Sequence, residues 1–306
     1  MRVAWLLRRL LHSVALLFAV SVFSFLLAHF APGGFFDDLQ LNPQISPETV
    51  RQLRHRYGLD RPLPLQYAKW AASAARGDFG ASLAWQQPVA PILLPRLRHT
   101  LQLTGTAAAL AWLCGLPLGL LAARKRRGLL SRLGVTISSM LLVTPELLLI
   151  LVLMLAAIRL GFPGLLTSFA LPLGVLVAGM FPLVFLHTRS ATLEVLDAAF
   201  IRSARAHGIR GTRLWLVYIL PAAGNPLISL FGLSLGGLVG ASLVVETVLS
   251  RPGLGSLFLD AIANRDLDVV TAVMLLSAAC LIGGNLLADA ILAWNDPRIA
   301  SGGSRE

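Results

Sequence analysis

Four polar groups in this 306-residue sequence stand inside or beside long apolar runs: Glu146, Glu246, Asn285 and Asp289. An ionisable side chain held in hydrocarbon costs on the order of 3 kcal/mol or more unless it is paired or hydrated, so lining a polar path is the default functional reading for Glu146. The competing reading is an interhelical hydrogen bond or a protonated acid. Asn285 and Asp289 are one helical turn apart, a spacing that suits either a path or polar glue between helices. Glu246, just ahead of Arg251-Pro252-Gly253-Leu254-Gly255, reads either as part of an external gate or as an ordinary turn at a helix end.

Covalent chemistry finds little footing. His207 has no second ligand at helical spacing and reads as a cation at a helix end. Cys114 and Cys280 sit singly in apolar runs and read as small buried thiols. Nucleophile-and-base or His-Glu-x-x-His patterns are missing from the apolar runs, which tells against an intramembrane hydrolase. The only lysines are Lys69 and Lys125, and neither lies in a Gly-x-x-x-x-Gly-Lys-Ser/Thr loop, so the chain carries no cradle for nucleotide phosphates by that route.

The elements that must position these groups are membrane helices. The chain is 56% hydrophobic and 13% charged, and its mean hydropathy is +0.74, too apolar for a soluble globule of this size. A helical span takes roughly 20 apolar residues, because backbone amides in lipid must be satisfied within the segment. Six such runs appear, at about Leu10 to Phe30, Leu101 to Ala122, Leu133 to Ile158, Phe169 to His187, Pro226 to Val245 and Val270 to Trp294. The expected fold is all-α, with six transmembrane helices and a small external helical subdomain after the first. No internal repeat is evident.

A net charge of +11 raises the question of nucleic acid, but the placement of the charge answers it. Arg2, Arg8 and Arg9 precede the first run, Arg124 to Arg127 and Arg132 follow the second, and Arg189, Arg202, Arg205, Arg210 and Arg213 follow the fourth. The short connections between these carry only Arg159 in one case and Arg251 and Arg265 in the other. The positive-inside rule then predicts that both termini are cytoplasmic, and no nucleic-acid partner is expected. The first run is too long for a secretory signal core and lacks a small-x-small cleavage site, so it reads as an anchor.

Three regions follow: a first span over 1–30, a periplasmic subdomain over 31–99, and a five-span core over 100–306 that includes a cytoplasmic loop at 190–221. The subdomain carries Asp37, Asp38 and Pro43 and then a helix start at Ser46-Pro47-Glu48-Thr49, with Ser46 as cap and Gly58 as the stop. A second short helix is expected at about Leu65 to Ala75, ending near Gly77. Gly236 and Gly240 in the fifth run have the four-residue spacing that lets helices approach closely. Pro117, Pro145, Pro172 and Pro182 predict kinks within spans.

In the loop, Thr192 to Gly208 reads as one helix, with Leu193, Leu196, Phe200 and Ala204 on its apolar stripe and Arg202 and Arg205 near its end. A second short helix, Thr212 to Leu220, is expected to stop at Pro221. Two short helices hinged at a glycine make a knob small enough to enter a groove on a partner.

Here the chain resembles the membrane subunits of bacterial ABC importers, whose hallmark loop reads Glu-Ala-Ala, three residues, Gly, nine residues, Ile-x-Leu-Pro. Gly208 fits the glycine, Ala204 the second alanine and Leu220-Pro221 the final pair, while Tyr218 stands where Ile is usual. Arg202 and Ser203 replace Glu and the first Ala, a departure similar to the dipeptide, oligopeptide and nickel class. Tyr57-Gly58-Leu59-Asp60-Arg61-Pro62-Leu63, Gly77-Asp78-Phe79-Gly80, Val244 to Val248, Asn264-Arg265-Asp266 and Asp296-Pro297-Arg298 extend the likeness to the first permease subunit of that class over nearly the whole chain. Glu146 stands where relatives usually carry Ser or an apolar residue.

The resemblance implies a bacterial inner-membrane permease that pairs with a homologous second permease as a heterodimer. It also implies two cytoplasmic ATPase subunits that bind ATP and Mg, and a periplasmic substrate-binding protein. The chain itself would need no cofactor or metal and would not be an enzyme. The expected coupling segment is Ala199 to Leu220 with Pro221, carried by Arg202, Ser203, Ala204, Arg205, Gly208, Tyr218 and Leu220. An ion-coupled secondary transporter is the alternative, and it would need paired membrane acids and internal symmetry.

Overall fold

The computed structural model describes residues 2–30, 46–56 and 60–295. Asp37, Asp38, Pro43, the expected stop at Gly58 and the closing Asp296-Pro297-Arg298 lie outside the described residues. The fold is all-α apart from one short hairpin. Its elements are α1 (Arg2–Phe30), α2 (Pro47–Arg56), α3 (Leu63–Ala74), β1 (Ala81–Ser82), β2 (Gln87–Pro88), α4 (Val89–Arg124), α5 (Leu129–Val143) and α6 (Glu146–Arg159). There follow α7 (Gly164–Thr167), α8 (Ala170–Asp197), α9 (Ala199–Ala206), α10 (Gly211–Arg213), a π-helical segment (Leu214–Ile219), α11 (Leu220–Val248), α12 (Leu254–Ala263) and α13 (Leu267–Asn295).

Among the described residues five stretches are helical, long and apolar enough to cross a membrane: Leu7–Leu27, Val89–Arg124, Ala170–Asp197, Gly211–Val248 and Leu267–Trp294. The expected third span is not one helix but two, α5 and α6, bent by 109° across Thr144-Pro145; counted as one crossing they bring the total to six. The break has a local cause. Pro145 has no N–H, and its ring pushes the preceding residue out of the helical region, so Thr144 takes φ −76° and ψ 120°. Thr144 ends α5, its N–H bonding Met140 and Leu141 carbonyls and its Oγ1 donating to the Met140 carbonyl at 2.8 Å. By contrast, α8 runs on through Pro182.

The chain folds as two compact units. The first comprises Met1–Leu11, Leu101–Leu249 and Leu281–Glu306. Its core joins Ala107 and Ala111 of α4, Ile150 of α6, Val175, Leu176 and Val184 of α8, and Leu238 and Val245 of α11. In the same unit α11 and α13 pack backbone against backbone. A side chain at Gly232 would collide with the Ala288 methyl and one at Gly236 with the Leu281 side chain, whereas Gly240 has open space. The close-approach pair is therefore Gly232 and Gly236, one turn earlier than the expected Gly236 and Gly240.

The second unit comprises His12–Thr100 and Ser250–Cys280. As expected, Ser46 caps α2, accepting the Thr49 N–H at 3.2 Å. Tyr67 of α3 hydrogen-bonds Ser21 of α1 at 2.7 Å and sets its ring edge-on to Phe25, 5.5 Å between centroids. Val89 and Leu93 pack with Leu254, Leu257, Ala261, Val269 and Val273. Two of the sequence signatures meet here. Asp266, fully buried, accepts from Ser82 Oγ at 2.5 Å and from the Ala84 N–H at 3.1 Å, tying the hairpin after Gly77-Asp78-Phe79-Gly80 to the turn ahead of α13.

Candidate functional site

The loop between α8 and α11 is a folded body with its own small core. Helix α8 continues to Asp197, and Ala198 then leaves helical geometry (φ −66°, ψ 147°) before α9 begins. The expected single helix over Thr192 to Gly208 is therefore two pieces. Restarting after Ala198 shifts the apolar phase: Ile201 and Ala204 are buried, while Phe200, expected on the stripe, is half exposed.

The end of α9 is a Schellman cap. Gly208 takes φ +81°; its N–H bonds the Arg205 carbonyl at 3.0 Å, and the Ile209 N–H reaches back to Ala204 at 3.0 Å. Ile209 packs beside Ala204, Ile201, Leu214 and Ile219, with Tyr218 and Trp215 at the margin. Arg202, Ser203 and Arg205 are exposed on the outer face together with Phe200. That face offers two guanidinium forks and an aromatic ring on a rigid base.

Beyond α10, the expected short helix does not stop at Pro221. The π-helical segment Leu214–Ile219 leads straight into α11, and Pro221 sits in its first turn. Proline supplies no N–H, and its ring crowds the carbonyl four residues back. A local shift to the wider π register ahead of it is the way a continuous helix absorbs such a defect. The glycine-hinged knob is thus joined to α11 without an intervening loop and to α8 through a single non-helical residue. Beside it, Arg126 donates to Asp197 Oδ1 at 2.6 Å, clasping the connection after α4 to the end of α8. In the sequence Arg126 is one of a run of basic residues, and two groups 71 residues apart carry no local signal of their pairing.

The four candidate path residues are placed differently from one another. Glu146 is not in mid-helix but is the first residue of α6, half-buried at the α5–α6 break. It lines a cavity of about 650 Å³ within the first unit, with walls from α5, α6, α8 and α11. Glu246 is 1% exposed and lies on α11 away from that cavity's lining. Asp289 makes an ion pair with Arg9 at 3.0 Å, and Arg9 also lies over the Trp5 ring. Asn285 is exposed one turn away. The arrangement brings none of Glu246, Asn285 and Asp289 into the cavity beside Glu146.

Among the described residues no group of three or more His, Cys, Asp or Glu side chains could hold a metal ion. What the arrangement can do is mechanical and recognitive. It presents a rigid polar knob at one place and a largely aliphatic cavity with a few polar side chains at another.

The family described as "Binding-protein-dependent transport system inner membrane component" matches residues 115–301, and the family of the N-terminal part of such membrane components matches residues 2–104. The chain is 35% identical over 317 residues to the oligopeptide transport system permease protein AppB of Bacillus subtilis, covering 97% of this chain and 99% of that one. It is 33% identical over 303 residues to the glutathione transport system permease protein GsiC of Escherichia coli K12, covering 96% and 98%. A probable peptide ABC transporter permease protein of Sinorhizobium fredii is 31% identical over 309 residues, covering 96% and 98%.

Proposed function

The chain belongs to the family of binding-protein-dependent transport system inner membrane components, as a permease subunit of an ABC importer of the peptide and nickel class, and from that premise we propose how it works. It forms half of a translocation pathway for peptides or a related small solute, as a heterodimer with a homologous second permease. Two cytoplasmic ATPase subunits bind ATP and Mg and supply the energy, and a periplasmic binding protein delivers the cargo. Both termini and the knob lie on the cytoplasmic side, in keeping with the arginine distribution.

The observation that carries this reading is the build of the knob. Ala199, Arg202, Ser203, Ala204, Arg205 and Gly208 form a capped helix on a private core with Tyr218, and Leu220-Pro221 continue that body into α11. A push on its exposed face therefore moves α8 and α11 instead of being lost in slack loop. Closure of the ATPases on nucleotide rotates these helices as rigid rods and alternates the pathway between outward and inward openings. Phe200 anchors the contact, and Arg202 and Arg205 supply charge-assisted hydrogen bonds to it.

The test is reconstitution of the chain alone and with its partners in proteoliposomes. Only the full assembly with ATP should concentrate peptide. Gradient-driven uptake by the chain alone, without nucleotide, would instead establish an ion-coupled secondary transporter.

A further inference from the structure

We propose that the cavity of the first unit receives an ammonium group of the cargo and that Glu146 is the carboxylate that holds it. The inference rests on the permease reading above and deepens it by naming the chemistry the pathway selects. The cavity, about 650 Å³, is of the size that small organic ligands occupy and far larger than a bare inorganic cation needs. Its walls are mostly aliphatic, and four polar side chains reach them: Thr144, Glu146, His187 and Ser234.

Each of the other three has already spent its proton. Thr144 Oγ1 donates to the Met140 carbonyl at 2.8 Å. Ser234 Oγ donates to the Phe231 carbonyl at 2.6 Å and accepts from Trp112 Nε1 at 3.3 Å. His187 Nδ1 lies 2.9 Å from the Leu183 carbonyl, which can only accept, so the Nδ1 proton is engaged there. Glu146, by contrast, makes no hydrogen bond or ion pair among the described residues, and no Lys or Arg lines the cavity. Thr144 and Ser234 therefore face the cavity as acceptors, beside a single acid that has no partner among the described residues and stands in an apolar surround.

Such a lining selects by charge and by donor count. An ammonium brings three N–H donors, no acceptor and one positive charge; a carboxylate or carbonyl would bring lone pairs against lone pairs. The helix start at Glu146 favours its carboxylate form but supplies only about half a charge, so a bound ammonium is the counter-charge that completes the site. Two groups on a peptide have this chemistry, the α-ammonium and a lysyl side chain.

The experiment uses the complete transporter with Glu146, Glu146→Gln and Glu146→Asp, and follows ATP-driven uptake of Ala-Lys-Ala and Ala-norleucine-Ala. In parallel, Leu233→Cys on the cavity wall, with Cys114 and Cys280 replaced by Ser, is alkylated with a maleimide in the absence of binding protein. Protection is compared for both peptides and for N-acetyl-Ala-norleucine-Ala. If the lysyl side chain is the ligand, Glu146→Gln lowers uptake of Ala-Lys-Ala about tenfold more than that of its norleucine analogue. If the α-ammonium is the ligand, uptake of both falls alike, and protection by free-amine peptides, absent with the acetylated one, is lost in Glu146→Gln. In either case Glu146→Asp retains most of the effect. Equal protection by all three peptides, or protection that Glu146→Gln leaves unchanged, overturns the proposal. Failure of the unsubstituted assembly to import with ATP would instead contradict the importer reading, since the protection assay reports on the cavity without transport.

Discussion

At Gly208 the backbone takes φ +81°, a conformation that costs an L side chain about 1–2 kcal/mol. The Schellman cap that closes α9 needs that conformation, so Gly208→Arg frays the cap and tilts Ile209 out of the small core. Nothing in the spans touches this position, so the variant should reach the membrane in normal amount while losing ATPase co-purification by at least about fivefold. Wild-type co-purification would contradict the coupling role. Asp266 makes a second residue-scale prediction. Truncation in Asp266→Ala leaves the buried Ser82 Oγ without its acceptor and removes the bond from the Ala84 N–H, costing about 1–3 kcal/mol. The purified protein should melt several degrees lower. Gly208 was legible in the sequence because the left-handed cap all but demands glycine. Asp266 was visible only as a signature, since its partners lie 182 and 184 residues away.

At the scale of elements, the bend at Thr144-Pro145 and the α11–α13 crossing carry the first unit. If the third span were one helix, labels at Leu133 and Ile158 would stand about 37 Å apart at 1.5 Å per residue. The 109° bend predicts a markedly shorter distance by paired spin labels, and a value near the straight-helix length would refute it. At the crossing, Gly236→Leu drives a side chain into Leu281, an overpacking worth about 1–3 kcal/mol. Its neighbour Gly237 faces open space, so Gly237→Ala should leave the melting temperature unchanged while Gly236→Leu lowers it. Span existence was legible from hydropathy alone. The break was not, because Pro145 and Pro182 look alike in sequence, yet the helix ends ahead of Pro145 and runs on through Pro182. Nor was the passage from knob to α11, because a π register leaves no periodic trace in residue type.

Across the whole molecule, charge and hydropathy say the most and packing the least. The arginines cluster in alternate connections, and by the positive-inside rule that bias predicts a topology without any knowledge of contacts. Which acids sit in cavities and which in ion pairs needed the folded chain: Glu146 and Asp289 are both acids in similarly apolar runs, yet one lines a cavity and the other is met by Arg9. In the mechanism proposed above, the knob faces the cytoplasm and is covered by the ATPase subunits. Ser203, exposed on α9, tests both halves as Ser203→Cys in a background with Cys114 and Cys280 replaced by Ser. A membrane-impermeant maleimide should label it in inverted vesicles stripped of the ATPases, spare it when they are rebound, and not reach it in intact cells. Labelling from the outside of intact cells, or labelling that rebound ATPases do not slow, would contradict the account.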